Sequence, residues 1–414
     1  MSKIPALRTF VTLPVVIAAL GYFVDIYDLT LFSIARVPSL SDLGFASNEL
    51  TDKGLMLINL QMTGMLLGGI FWGILGDKKG RISVLFGSIL MYSLANFLNG
   101  MVQTIEQYAA LRLIAGFGLA GELGIGITLV AESLPKELRG YGTMVVAGIG
   151  VSGAVLANIV MQVSHDWRTA YYAGGALGLL LLLLRIKIFE SCLFEKAKKT
   201  NALRGDFLRL FTNRSRFLRY MQSIFLGFIP WYIVGILVTF SPEFAKTFGI
   251  PIEHGQEKLI GGNAVMFCYI GLTAGDFASG TLSQFWHSRK KSMLLFFILS
   301  AISTATYLFC LNNSTLPILY AVCGFLGFSA GFWAIFVTVA AEQFGTNYRA
   351  TVATTAPNFA RGALVPIALS FEWLKSQTDI VSAAFIAGAA CIAISFVAWA
   401  YLPETFHKEL DYVE

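Results

Sequence analysis

The chain reads as an all-α integral membrane protein of 12 transmembrane helices, arranged as two pseudo-symmetric six-helix bundles. Three observations predict this. Of its 414 residues, 56% are hydrophobic, and the mean hydropathy of +0.68 is far above that of a water-soluble domain. Crossing a hydrocarbon layer of ~30 Å takes roughly 20 apolar residues, and twelve such runs begin near Thr12, Gly54, Ile82, Glu106, Gly140, Thr169, Tyr220, Gly261, Met293, Leu316, Thr351 and Val381. Lys and Arg are also distributed unevenly. With the N-terminus inside, the segments on that side hold 22 of the 30 basic residues; Lys53, Arg168, Lys246, Lys258 and Lys375 fall on the other side, and Arg36, Arg112 and Arg361 lie within or at the edge of helices. That bias places both termini in the cytoplasm. The net charge of +5 then reflects topology rather than contact with nucleic acid.

Taken in order, the first span follows Lys3 and Arg8 and has no small-residue cleavage site, so it is read as a span rather than a removable signal. Between spans 2 and 3 lies Gly73-Ile-Leu-Gly76-Asp77-Lys78-Lys79-Gly80-Arg81, a tight charged turn between two apolar helices. Glycine lets two helix ends approach there, and basic residues collect at the cytoplasmic surface. Apolarity drops between Glu190 and Arg219, where Lys196, Lys198, Lys199, Arg204, Arg209, Arg214, Arg216 and Arg219 cluster. This divides the chain into a bundle at 1–189, a cytoplasmic basic linker at 190–219 and a bundle at 220–414, with the binding site expected between the repeats near the midplane. In span 7, Pro230 loosens the helix ahead of Trp231-Tyr232. The five cysteines have neither metal-ligand spacing nor a disulfide framework, and the four histidines are not clustered. With no metal cluster, nucleophile elbow or phosphate-binding loop, the sequence predicts no enzyme, no metal and no cofactor.

Several motifs resemble those of the major facilitator superfamily, in order and over nearly the whole chain. The 73–81 turn resembles that family's loop between helices 2 and 3, and Arg112-Leu-Ile-Ala-Gly116-Phe-Gly118 resembles its Arg-x3-Gly-x-Gly motif. Glu132-Ser-Leu-Pro135-Lys-Glu-Leu-Arg139, its counterpart Glu342-Gln-Phe-Gly-Thr-Asn-Tyr-Arg349 and the final Pro403-Glu404-Thr405 resemble the branch holding sugar porters, phosphate symporters and metabolite:H+ symporters. The resemblance implies the fold of that superfamily and transport of a small molecule by alternating access, by a monomer in a lipid bilayer. Short connections fit a bacterial inner membrane. Asp77 beside Arg81, Glu132 near Arg139, and Glu342 with Arg349 are expected to gate the cytoplasmic side as carboxylate–guanidinium groups. Gln284 stands where the repeat would place an acid, which predicts a weaker clamp in the second half. Span 5 (Gly148-Ile-Gly150-Val-Ser-Gly153) lacks the proline of the drug/H+ antiporters, which argues against export.

Ionisable groups at membrane depth cost roughly 3 kcal/mol or more to insert, so each points to function. Asp25 and Asp28, in Asp25-Ile-Tyr27-Asp28, share a helical face by their three-residue spacing, and the pattern resembles span 1 of the phosphate and metabolite symporters. They are expected to carry the proton, unless Asp28 simply pairs with Arg112. Glu122, between Gly121 and Gly124, is a further proton group. Arg361, about ten residues into span 11, offers a planar fork suited to an anion, or else a structural ion pair with Asp276. Gln61, Tyr27, Trp231, Tyr232, Tyr269, Trp333 and Asn358 complete the expected substrate site, together with Arg112 and Asp276. The leading expectation is proton-coupled uptake of a small, carboxylate-type anion. A neutral sugar or polyol carrier is the alternative, and an exporter or a non-transporting receptor stands behind both.

Overall fold

The computed structural model describes residues 12–46, 49–135, 138–184, 207–253, 257–406 and 408. Lys3, Arg8, Cys192 and most of the basic linker lie outside the described residues. The described chain forms twelve spans. Span 1 is Leu13–Asp42, span 2 Leu50–Lys79 and span 3 Arg81–Asn99. Span 4 comprises Ile105–Leu119 and Glu122–Ser133, span 5 Arg139–Val151 and Gly153–Ser164, and span 6 Trp167–Leu184. Span 7 runs through Arg214–Phe225, Phe228–Tyr232, a π-helical turn at Ile233–Val238, and Ser241–Thr247. Span 8 is Glu257–Phe285 and span 9 Arg289–Phe309. Span 10 comprises Leu316–Ala330 and Trp333–Glu342, span 11 Arg349–Gly362 and Leu364–Gln377, and span 12 is Ile380–Tyr401. Ten of these are long and apolar enough to cross a membrane, and span 3 contributes the shorter apolar helix Ser83–Asn99. Span 11 is the polar exception, because Arg349, three threonines, Asn358 and Arg361 dilute its hydropathy while its two helices run almost continuously.

Helix starts follow capping chemistry more closely than the edges of apolar runs. Span 7 begins at Arg214, ahead of the apolar run at Tyr220, because Asn213 Oδ1 accepts from the N–H groups of Ser215 and Arg216. Asp379 caps span 12 in the same way, accepting from Val381 and Ser382 N–H. The charged turn after span 2 needs Gly80, whose φ of 104° is costly for any residue with a Cβ. Large apolar side chains such as Leu67, Leu183 and Val397 stand exposed on the outer surface, the arrangement expected of a protein whose solvent there is lipid.

The side where span 1 begins and span 12 ends is the terminal face; the opposite side is the far face. Spans 1–6 and spans 7–12 meet along spans 2 and 11 and along spans 5 and 8. Spans 2 and 11 touch in the half nearer the terminal face, where Gly73 lies against Thr351 and Gly69 against Asn358. Toward the far face they part around the larger of two connected cavities, lined by Thr30, Gln61, Trp231 and Leu364.

Candidate functional site

Span 1 crosses the membrane beside the bundle interface, and its middle carries the acids. Asp25 and Asp28 are both fully buried. Three residues turn a helix to within about 60° of the starting direction, and that offset separates their surroundings. Asp25 faces span 11: its Oδ2 lies 3.9 Å from Arg361 Nη2, and Glu122 and Asp28 are further charged neighbours. Asp28 turns into the first bundle toward Asn96 and Gly174, where any Cβ would collide with its carboxylate.

Arg361 lies near the middle of span 11, 1% exposed. Its guanidinium is 5.8 Å from the rings of both Trp231 and Trp333, which meet edge to face at 6.0 Å. Asn358 positions it from one turn below. Asn358 Oδ1 accepts from Arg361 Nη1 at 3.3 Å, and its amide donates to the carbonyls of Ala120 and Thr354. Arg361 Nε, Arg361 Nη2 and both indole N–H groups have no hydrogen-bond acceptor among the described residues. Beside them lies a small cavity lined by Arg361, Trp231, Trp333, Tyr22, Ile26 and Tyr269. Trp231, Val234 and Tyr269 line this space and the larger cavity alike. The site is therefore a mostly apolar, aromatic-walled space beside a buried guanidinium, continuous with the larger cavity on the far side.

Not every expected residue faces this space. Arg361 pairs with Asp25, whereas Asp276 Oδ1 accepts from Ala334 N–H at 3.0 Å and caps the second helix of span 10. Tyr27 donates to the Ala170 carbonyl in span 6, and Tyr232 to the Ala384 carbonyl in span 12. Arg112 holds Gln61 Oε1, reaches Tyr171 Oη at 3.5 Å and lies over the Phe32 ring. It acts on the cavity only through Gln61, which does line it. Sequence spacing gives depth in the membrane but not the direction a side chain takes around the helix axis; these four were placed by depth. Tyr22 went unrecognised, although it stands one turn before Asp25 and its electrostatic neighbours include Arg361, Asp25 and Asp276.

Two of the acids at the terminal face, Asp77 and Glu132, find partners across the interface. Ala350 N–H donates to Asp77 Oδ1 at 3.1 Å, and Thr351 N–H and Oγ1 donate to Oδ2 at 2.7 and 2.6 Å. Asp77 thus caps span 11 from span 2; the side chain of Arg81 lies outside the described residues. Glu132 meets Arg349 at 3.1 Å with both side chains fully buried, while Arg139 donates to the carbonyls of Ala131 and Lys408. Glu342 meets Arg289 at 3.3 Å within the second bundle. At the symmetry-related position to Asp77, Gln284 with its amide oxygen turned to the donors accepts from Gly140 N–H at 3.3 Å and Arg289 Nη1 at 3.1 Å. Thr338 donates to Thr143 across the interface at 3.1 Å. In this conformation the terminal face is closed.

Two bundles of membrane-spanning helices, closed on one face around an internal cavity, have the architecture of a membrane transporter. The chain belongs to the major facilitator superfamily, whose family model matches residues 18–368. A protein of Haemophilus influenzae named for metabolite transport is 28% identical over 415 residues, covering 95% of this chain and 96% of its own. The cis,cis-muconate transport protein of Acinetobacter baylyi is 27% identical over 415 residues, covering 95% and 94%. The niacin transporter NiaP of the same organism is 23% identical over 388 residues, covering 86% and 85%. Among solved structures, the proton:xylose symporter XylE superposes with a TM-score of 0.76 at 15% identity, covering 96% of this chain and 97% of that one.

Proposed function

We propose that the protein takes up a small carboxylate together with a proton, with Arg361 as the anion-binding group and Asp25 as the proton carrier. The observation that carries this is the 3.9 Å pairing of Asp25 with Arg361, whose guanidinium lies by two tryptophans whose N–H groups have no acceptor among the described residues. An isolated guanidinium at mid-membrane is costly, and Asp25 offsets that cost in the empty carrier. Protonation of Asp25 removes the competing negative charge. Arg361 is then free to take a carboxylate through its planar fork, and the indole N–H groups add donors. Release of both to the other side restores the pair. Each cycle moves one proton with one negative charge, so the membrane potential does not oppose uptake of a monoanion.

The flat walls of Trp231, Trp333 and Tyr269 favour a planar, unsaturated carboxylate, consistent with relatives named for muconate and niacin. Glu122 is read as a second proton group because it neighbours Asp25. Asp28 is read as a supporting acid inside the first bundle. The bias in basic residues supports a cytoplasmic terminal face and the short connections support a bacterial inner membrane, with 1–189 and 220–414 read as the moving bundles. Asp77, Glu132 and Arg349 close the inner gate between them. A sugar or polyol remains the second reading, on the strength of the hydroxyl and amide groups of Thr30, Asn59 and Gln61 in the larger cavity.

Uptake into proteoliposomes of benzoate, nicotinate, muconate and xylose, with and without an inward proton gradient, tests the proposal. The expected result is accumulation of a carboxylate driven by the gradient. In Asp25→Asn the gradient loses its effect while carboxylate exchange persists; in Arg361→Gln both are lost. Carboxylate uptake by Arg361→Gln at the wild-type rate, or xylose as the only solute carried, would falsify it.

A further inference from the structure

Eleven residues beyond Asp25, about 16 Å along span 1 at 1.5 Å per residue, a second guanidinium is buried where no function has yet been assigned. Arg36 is 9% exposed. Its Nη1 is buried without a hydrogen-bond partner among the described residues. It lines a cavity near the far face, with Ser33, Thr239, Gly261 and Gly262. Room for the side chain is built into span 2. The aliphatic part of Arg36 lies over Gly54, where a Cβ would collide with its Cδ. On the cavity's other wall, Gly261 and Gly262 leave the space that larger residues would fill. Ser33, Ile58 and Thr239 line this cavity and the larger one alike, and the larger one continues to Arg361 past Trp231. Two buried arginines thus stand at the two ends of one string of cavities.

Glu243, in the last helix of span 7, is the charged group acting on Arg36. Its Oε2 is likewise buried without a hydrogen-bond partner among the described residues, and no ion pair within 4.0 Å joins the two. A committed structural salt bridge would close that distance.

We propose that Arg36 forms an outer binding site for the carboxylate of the substrate, held open by Glu243, from which the anion passes inward to Arg361. This rests on the reading of the substrate as an anion. Arg36 raises the concentration of anions at the mouth of the path and desolvates the carboxylate in part. Glu243 keeps the guanidinium from binding too tightly, because each arriving carboxylate must compete with it.

The sign of two substitutions separates this from a simple latch between the bundles. In proteoliposomes carrying benzoate or nicotinate, Arg36→Gln should raise KM about tenfold, the effect of losing one charge-assisted contact, with the maximal rate near wild type. Glu243→Gln should lower KM, and Arg36→Lys should recover much of the Arg36→Gln loss. The rise of KM with ionic strength in the wild type should flatten in Arg36→Gln. If Arg36→Gln and Glu243→Gln shift KM in the same direction, the two form a latch and the outer site is overturned. An unchanged KM in Arg36→Gln, with Arg361→Gln inactive, overturns the outer site and leaves the proposed function standing. A wild-type protein that carries none of these anions overturns both.

Discussion

At the scale of single residues, the proposal separates the charge of the site from its donors. Trp231 and Trp333 supply rings to Arg361 and, on the proposed reading, N–H groups to the substrate; substitution by phenylalanine removes the N–H while keeping an aromatic ring. Each of Trp231→Phe and Trp333→Phe is expected to raise KM for the carboxylate roughly five- to tenfold, about 1 kcal/mol for one hydrogen bond, while leaving the maximal rate nearly intact. Trp333→Ala, which also removes a wall, should cost more. Uptake kinetics across the three variants decide this; wild-type KM in both phenylalanine variants would mean the indole N–H groups never touch substrate. The burial of Asp25 and Arg361 within the membrane was legible in the sequence, because an ionisable group in an apolar run stands out. The pairing between them was not: Asp276 looked an equal partner for Arg361 until the fold turned it to the backbone of Ala334. Tyr27, Tyr232 and Arg112 were misplaced for the same reason, since depth along a helix can be counted and azimuth cannot. Tyr22 carries no charge and so left no signal in an apolar run, although it lines the space beside Arg361.

At the scale of elements, helix ends carry information that hydropathy does not. The Pro403-Glu404-Thr405 motif resembled a family signature with no assigned task. In the fold, Glu404 accepts from the N–H groups of Arg289 and Lys290 and from Ser288 Oγ, so it caps span 9 from beyond the end of span 12. Burial pushes its carboxyl up, but the Ser288 hydroxyl and the N–H groups of Phe406, Lys290 and Arg289 outweigh that and hold it below the usual value. A carboxyl whose folded value is depressed stabilises the fold above its unfolded value, near 4.3, and the contribution is lost as pH falls through the folded one. Glu404→Ala should therefore lower the Tm in detergent at pH 7, by an amount corresponding to about 1–2 kcal/mol for a lost cap. The difference from wild type should shrink in acid. A difference that grows in acid would show that the carboxylate is not the stabilising form. The count of twelve spans was legible because apolar runs of sufficient length recur. The π-helical turn after Pro230 was legible only as a loosened helix: proline marks a weak point, but which carbonyl the chain then bonds depends on neighbours such as Thr239, whose hydroxyl and N–H both reach Val234 O.

At the scale of the whole molecule, the terminal gate is unequal in its two halves, and this makes a prediction about which contacts keep it shut. Asp77 receives three hydrogen bonds from the start of span 11, whereas Gln284 receives one at 3.3 Å from the start of span 5. Glu132 and Arg349 join the bundles with both side chains fully buried; Glu342 and Arg289 lie within one bundle. Breaking a buried pair by neutralising one partner costs roughly 3–5 kcal/mol in the state that contains it. The cost falls on the closed terminal face alone, so the equilibrium shifts toward opening there. Thr338, which bonds Thr143 across the interface, is buried in the closed state and reports the change. In a protein whose native cysteines are replaced, alkylation of Thr338→Cys should accelerate at least tenfold on adding Glu132→Gln or Arg349→Gln, a shift of about 1.4 kcal/mol or more in the opening equilibrium. The double variant should add little to either single one, because both remove the same contact. Asp77→Ala should accelerate labelling more than Gln284→Ala, since it frees three donors across the interface rather than one. Equal acceleration by the last two would mean that the halves share the load evenly, despite the carboxylate on one side and the amide on the other.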